Sequence, residues 1–249
     1  MFMEERREAI ARLVAEGGRV SVRDLVERFG VTQDCIRKDL RALEAAGACR
    51  RVHGGAVRAG SLPETEVQAR KREDAGVKRA LAARAYELVP DGGCIYLDIS
   101  TTNLALAEQL RDGSKACTVV TNLIEALGVL AANPRVTAIG TGGTVDAETG
   151  AFCGGAALAV VARYRFDCCF VGALGIELAG GGAAEGAAAS GALAGAAMTL
   201  SEDDAAIKRA AIENSDRAYL VTAAGKFGKR GRVRYAELSE FDQVITDRG

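Results

Sequence analysis

The stretch from Val20 to Val57, VSVRDLVERFGVTQDCIRKDLRALEAAGACRRVHGGAV, constrains this chain more than any other. Ser21 stands as an N-cap ahead of Val22, Leu25 and Val26, which recur at helical spacing. Phe29-Gly30-Val31 ends that helix and makes a turn. Thr32 caps the next helix, whose inner stripe is Ile36, Leu40 and Leu43, and Gly47 stops it. Cys49 to Val57 alternates weakly around Gly54-Gly55, the pattern of a two-stranded wing. Upstream, Ile10, Leu13 and Val14 mark a first helix between Glu4 and Glu16, ended by Gly17-Gly18. Three short helices and a hairpin in this order are the pattern of a winged helix-turn-helix. Its third helix is the kind that enters a major groove, which implies double-stranded DNA as the partner.

The charge distribution agrees. The chain as a whole has a net charge of −1, yet residues 1–60 carry 12 Lys+Arg against 9 Asp+Glu. Within residues 32–60, Arg37, Lys38, Arg41, Arg50, Arg51 and Arg58 face only Asp34, Asp39 and Glu44. A local basic patch on a near-neutral protein fits site-directed DNA binding better than coating of bulk nucleic acid. Thr32 and Gln33 open the third helix, and Arg37, Lys38 and Arg41 lie opposite or beside its apolar stripe. Arg pairs with guanine and Gln with adenine, each good pair giving roughly 1–3 kcal/mol of discrimination. The wing carries Arg50, Arg51 and His53 toward phosphates or the minor groove, and Asp39 is expected to pair with a nearby Arg. The blander alternative is a three-helix domain with a solvated basic face. Turn, cap, stripe and wing all agree against it.

The seven cysteines are scattered without a CxxC, and there is a single histidine, His53. That spacing offers no zinc site, and one histidine leaves no room for a Ser-His-Asp triad in the rest of the chain. No cofactor is expected. The charged start MFMEERREA is not a secretory leader, and no apolar run approaches the ~20 residues a membrane helix needs. Reduced thiols, a cytoplasmic location and no membrane partner are the expectation.

Beyond residue 58 we expect a linker over 59–76 and a second domain over 77–249, with a helix from Lys78 to Leu88. After Pro90-Asp91-Gly92 the pattern becomes strand, turn, helix, repeated. Apolar runs at Cys94–Asp98, Cys117–Thr121, Val136–Gly140, Cys168–Val171 and Tyr219–Val221 alternate with helical spacings. That predicts an α/β, Rossmann-like, mostly parallel sheet covered on both faces. Ala179 to Ala197 is nearly all Gly and Ala and is expected to be a mobile loop, followed by a helix over about Asp203–Asn214.

Ligands in open parallel sheets sit at the carboxyl ends of strands, and helix N-termini there bind phosphate. Asp98, Ser100, Thr101 and Thr102 fall at such an end, as do Thr121, Asn122, Gly142, Gly143, Gly172 and Lys226. Each hydroxyl taken singly is as well explained as a helix cap.

Cys35-Ile36-Arg37-Lys38-Asp39-Leu40 and Arg50-Arg51-Val52-His53-Gly54-Gly55-Ala56 resemble the T-I-R-R-D-L and R-R-x-H-G-G-A motifs of DeoR-type transcriptional repressors. The resemblance continues through nearly the whole chain. The family's D-x-G-[ST]-T loop corresponds to Asp98–Thr102, its T-N to Thr121-Asn122 and its G-G to Gly142-Gly143. Its A-x-K-R corresponds to Ala206–Arg209, which adds Lys208, and its S-K-F-G to Gly225–Gly228. The resemblance implies a sensor domain similar to sugar-phosphate isomerases, an operator that is released when a phosphorylated sugar binds, and a homo-oligomer (dimer or tetramer). Cys35 departs from the usual Thr. Leu174 stands where an Asp is common, and Ala223-Ala224 where Asp-His is common. The phosphate end of the site is thus kept while polar groups at the sugar end are lost. Two alternatives follow: a DNA-binding protein whose sensor has decayed, or a phosphosugar isomerase using Asp98 or Glu185 as base.

Overall fold

The computed structural model describes residues 3–17, 19–52, 54–58, 74–178 and 194–247, with only the backbone described at Glu16, Gly17, Arg19, Arg50, Val52, Val57 and Arg58. His53, Glu185 and most of the expected linker and loop lie outside the described residues. The chain divides into two compact units, Met1–Glu64 and Thr65–Gly249.

In the first unit α1 (Met3–Gly17) leads through β1 (Arg19–Ser21) into α2 (Val22–Phe29) and α3 (Gln33–Ala45). The strands β2 (Cys49–Val52) and β3 (Gly55–Arg58) follow. Ile10 and Val14, Leu25, Ile36, Leu40 and Leu43 meet in one core that Cys49 and Ala56 of the wing close. Each such buried aliphatic contributes roughly 1.5–3 kcal/mol. The wing has three strands rather than the expected two, in the order β1-β3-β2. Glycine is the reason: a Cβ on Gly55 would lie 2.0 Å from Val20 O, so only a bare backbone lets β3 pair with β1. Asp39 is the charged residue in this core, and it is held by Arg6 Nε at 2.6 Å and Arg7 Nε at 2.9 Å. Asp39 therefore pairs with arginine as expected, but not with one nearby in the chain: both partners lie on α1, 33 and 32 residues away.

The second unit begins with α4 (Ala75–Glu87), which starts three residues earlier than Lys78 and takes in the end of the expected linker. Then come β4 (Cys94–Leu97), α5 (Thr101–Asp112), β5 (Cys117–Thr121), α6 (Ile124–Leu130) and β6 (Val136–Gly140). A hairpin, β7 (Thr144–Asp146) and β8 (Ala151–Cys153), precedes α7 (Gly154–Val161) and β9 (Cys168–Val171). The chain closes with β10 (Gly175–Leu178), β11 (Gly195–Thr199), α8 (Glu202–Glu213), β12 (Ala218–Val221), β13 (Val233–Glu237) and β14 (Gln243–Ile245).

Six strands form a parallel sheet in the order β14-β12-β9-β4-β5-β6. Successive side chains point to opposite faces. Ile95 and Leu97 therefore pack with α4, α5 and α6, while Tyr96 packs with α7 and α8. This explains why the strands read as unbroken apolar runs. From β4 the chain lays β5 and β6 on one side, then β9, β12 and β14 on the other. The β4/β9 boundary is thus where the winding reverses, the place at which open parallel sheets hold ligands in a crevice at the carboxyl ends.

A second, antiparallel sheet, β10-β11-β13, is absent from the sequence expectation. Residues Gly195–Ala197, expected in a loop, lie in β11. Small residues suit this strand because the backbones approach closely: a Cβ on Gly195 would sit 2.4 Å from Glu177 O. Ala196 and Ala197 are buried.

Candidate functional site

The first candidate surface is α3 with the wing. Gly30, at φ +63°, ends α2, and its N–H donates to Val26 O at 2.9 Å. That conformation favours glycine and lets the chain turn at once into α3. Thr32 Oγ1 accepts from Cys35 N at 3.3 Å, so Thr32 is the N-cap. With Ile36, Asp39, Leu40 and Leu43 facing inward, a turn of 3.6 residues puts the other positions outward. Gln33, Arg37, Lys38 and Arg41 are all exposed, as is Cys35. The Arg37 guanidinium reaches Gln33 Oε1 at 3.4 Å and lies 3.6 Å from Asp34 Oδ1. Such solvent-facing contacts are weak and exchange readily for an anionic partner. Glu44 joins helix to wing: its carboxylate accepts from Arg51 N at 2.7 Å and lies 3.7 Å from the Arg51 guanidinium. Gly54, at φ +80°, presents its carbonyl to Val22 N at 2.8 Å. The two wing glycines have separate causes, a left-handed turn at Gly54 and a backbone approach at Gly55.

The second candidate is the crevice at the β4/β9 boundary. Ser100 is the N-cap of α5, its Oγ accepting from Asn103 N at 2.9 Å. Thr101 is half-buried at the first turn and Thr102 is buried behind it. Asn103, which the sequence reading passed over, is fully buried. Its Nδ2 donates to Asp98 O at 3.1 Å and Phe170 O at 2.8 Å, bridging the two strand ends. Opposite, Gly172 lies so near that a Cβ on it would be 2.8 Å from Ser100 Cβ.

Other expected residues shape this end of the sheet. Thr121 Oγ1 donates to Leu97 O at 2.7 Å and accepts from Leu123 N at 3.1 Å. Asn122 Oδ1 accepts from Tyr96 OH at 2.8 Å. Both are buried and engaged within the protein. Gly142 and Gly143 have φ of +64° and +114°, and a Cβ on Gly143 would stand 2.8 Å from Cys153 O, above the start of α7. Lys226 is half-buried in a 3-10 turn, Ala224–Lys226, after β12.

Asp98 and Lys208 occupy a different place from the loop hydroxyls. Asp98 is fully buried, and its Oδ2 accepts from Gly172 N at 2.9 Å and from Lys208 Nζ. Lys208, 2 % exposed, also lies 3.2 Å from Asp204 Oδ1, one helical turn back on α8. The other Asp204 oxygen accepts from Thr199 Oγ1. Tyr235 completes the ring: its OH donates to Gly172 O at 2.8 Å, and Lys208 Nζ is 5.7 Å from its ring centroid. Burial pushes the Asp98 carboxyl up to about 6, against the pull of Lys208. Burial alone would lower Lys208, but the Asp204 and Asp98 carboxylates outweigh it and raise it, so the ammonium is kept. Both Nζ and carboxylate are enclosed behind the loop. An acid/base role at Asp98 would need access that this enclosure denies.

Asp204, Thr199 and Tyr235 were missed because no local pattern marks them. All seven cysteines are free thiols, and burial pushes Cys168 and Cys169 up to about 12. Among the described residues no group of three or more His, Cys, Asp or Glu could hold a metal ion. No described helix is long and apolar enough to cross a membrane.

The model of the DeoR-like helix-turn-helix domain matches residues 6–61, and that of the DeoR C terminal sensor domain matches residues 73–248. Among curated relatives, the chain is 36% identical over 250 residues to the uncharacterized HTH-type transcriptional regulator YgbI of Escherichia coli K12, covering 100% of this chain and 91% of that one. It is 30% identical to the glycerol-3-phosphate regulon repressor of Escherichia coli K12, over 99% of this chain and 92% of that one. It is 31% identical to the L-fucose operon activator of Haemophilus influenzae, over 99% and 92%. Among solved structures, ribose 5-phosphate isomerase A from Methanocaldococcus jannaschii matches with a TM-score of 0.41 and 15% identity, over 62% of this chain and 55% of that one.

Proposed function

Because the chain belongs to the DeoR family of transcriptional regulators, we propose that it is a repressor of a sugar-metabolism operon, released from its operator by a phosphorylated sugar. The observation that carries the DNA half is the outward face of α3, where Gln33, Arg37, Lys38 and Arg41 stand opposite the buried stripe. In this reading those four approach base edges, and the Thr32 hydroxyl reaches a phosphate while capping the helix. Arg50, Arg51 and His53 track the backbone from the wing. DNA half-sites repeat, so the working form is a homo-oligomer, dimer or tetramer, in the cytoplasm.

The effector half rests on the α5 N-terminus. Its free N–H groups and the Ser100, Thr101 and Thr102 hydroxyls suit a phosphate, with Gly142, Gly143 and Lys226 at neighbouring strand ends. Thr121 and Asn122 hold the shape of the end of the sheet. Asp98 and Lys208 support the loop from behind rather than touching the ligand. The phosphorylated-sugar class draws support from the glycerol-3-phosphate regulon repressor among the relatives. Leu174, Ala223 and Ala224 offer no side-chain hydrogen bond to a hydroxyl, so the sugar is held mainly by its phosphate. Release follows if the ligand favours an arrangement of the protein with lower operator affinity.

Arg37→Ala tests the two halves together. DNA from the gene's own upstream region should no longer shift with the variant, a loss of roughly 1–3 kcal/mol or more for a bidentate base contact. The melting shift caused by a sugar phosphate should persist. Undiminished DNA binding by the variant would remove α3 from the proposal. A sugar-phosphate panel that neither stabilises the protein nor releases DNA would remove the effector.

A further inference from the structure

The buried charges behind the anion loop do not balance. Asp98 and Asp204 share one cation, Lys208, and among the described residues neither carboxylate is paired with another. Asp98 Oδ1 is buried without a hydrogen-bond partner. The carboxylate lies directly behind the Ser100–Thr102 turn, across Gly172 from the Ser100 side chain. A Cβ placed on Gly172 would be 2.8 Å from Ser100 Cβ, 3.2 Å from Ser100 Oγ and 3.7 Å from Asp98 Oδ2, so the loop hydroxyl and the carboxylate are separated by little more than the Gly172 backbone. An anion arriving at the α5 N-terminus therefore meets a cluster carrying one net negative charge in a medium that screens poorly.

We propose that Asp204 is a positioning residue for the anion loop: acting through Lys208 it sets the charge on Asp98, so that filling the loop with an anion takes up a proton at Asp98. This rests on the reading of Ser100–Thr102 as an anion site. The proton has a place to go, because Asp98 Oδ1 is free to carry it. The other groups facing Asp98 cannot substitute. Tyr96 on β4 and Tyr235 on β13 are pushed well above their usual range by burial, and Cys169 on β9 to about 12, so all three stay neutral. Lys208 on α8 keeps its proton throughout. Asp204 itself is tied to Thr199 Oγ1 and Lys208 and does not touch the loop.

The sign follows from linkage. With the loop empty, Asp98 releases its proton near pH 6. An anion beside it raises that value further. Anion affinity then increases as pH falls, by up to about tenfold per unit, and levels off below the empty-loop value. Removing the Asp204 charge leaves Asp98 and Lys208 as a neutral pair, so Asp98 ionises at lower pH and the dependence disappears from the neutral range.

The test uses the full chain, wild type, Asp204→Asn, and Asp203→Asn as a control that removes an equal charge from an exposed position on the same helical turn. Carbon-detected carboxyl resonances give the Asp98 midpoint without ligand. We expect it near 6 in wild type and in Asp203→Asn, and lower by about one unit or more in Asp204→Asn. Calorimetric titration with inorganic sulfate, which does not itself titrate near neutrality, should tighten as pH falls toward 6 in wild type and in Asp203→Asn, and stay flat in Asp204→Asn. Equal Asp98 midpoints in all three proteins overturn the proposal whatever binds. Sulfate binding that is equally flat in wild type and Asp204→Asn overturns it as well. If sulfate and sugar phosphates bind to neither protein at any pH while the midpoints differ as expected, the anion-loop reading fails and takes the link to anion binding with it.

Discussion

The winged unit and the crevice handle charge in opposite ways. On α3, Arg37, Lys38 and Arg41 stand in solvent over a core that is apolar except for Asp39. At the crevice, Asp98, Lys208 and Asp204 are packed behind the Ser100–Thr102 turn. A solvated charge can be removed at little cost to folding, while an enclosed one holds its neighbours in place. One surface can therefore change its ligand by simple substitution, and the other cannot.

Lys208→Met should separate them most widely. Removing the cation leaves Asp98 and Asp204 unpaired in a buried site, a loss of about 3–5 kcal/mol from the sensor unit. Arg37→Ala should change stability by no more than about 0.5 kcal/mol. Denaturant titration with probes in each unit reads both, since two units need not unfold together. A Lys208→Met protein as stable as wild type would mean that the cluster is hydrated and that the two sites carry their charges alike.

Glycine offers a second contrast of smaller size. Gly55→Ala drives a Cβ to within 2.0 Å of Val20 O, a backbone atom that cannot rotate away. Gly172→Ala meets Ser100 Cβ at 2.8 Å, a smaller overlap, which a shift of a few tenths of an ångström in the Ser100 turn would relieve. Forcing an extra methyl into a packed site costs typically about 1–3 kcal/mol, and Gly55 should lie at or beyond the upper end. The consequences differ as well. Gly55→Ala should lower DNA affinity with sugar-phosphate binding intact, and Gly172→Ala the reverse. Anisotropy with labelled operator and thermal shift with a sugar phosphate distinguish the two patterns.

These differences also explain what could be read from the chain. The winged unit depends on neighbours in sequence: Ser21, Gly30 and Thr32 delimit helices whose stripes recur every turn. Its DNA-facing residues follow as the complement of the stripe. The parallel sheet was legible for the same reason, since strand and helix periods alternate. The antiparallel sheet was not, because β11 is Gly195-Ala-Ala-Met-Thr and its small residues carry no strand signal. They are small because backbones approach there. The crevice was half legible: Ser100–Thr102 announce themselves as a cap at a strand end. Asp204, Thr199 and Tyr235 reach Asp98 only through tertiary packing, from α8, β11 and β13. Lys208 came from a resemblance that could mark it as important but could not say which way it faced.

The smallest expected effect sharpens the comparison furthest, because both surfaces contain a hydroxyl N-cap. Thr32 Oγ1 accepts from Cys35 N at 3.3 Å and Ser100 Oγ from Asn103 N at 2.9 Å. Replacing either by alanine should cost about 1 kcal/mol of stability in its own unit, the usual value for a lost cap. The functional losses should not be equal. Thr32 sits at the edge of a surface whose affinity is spread over several cations, so Thr32→Ala should weaken operator binding only a few-fold, within roughly 1 kcal/mol. Ser100 stands where an anion would be gripped by few groups, with Leu174 and Ala223 offering no alternative contact. Ser100→Ala should therefore remove most of the sugar-phosphate response while Ser201→Ala, a cap of equal chemistry on α8 that accepts from Asp204 N at 3.2 Å, leaves it in place. Equal loss from Ser100→Ala and Ser201→Ala would reduce the Ser100 hydroxyl to a cap and move the anion site elsewhere along the carboxyl ends of the sheet.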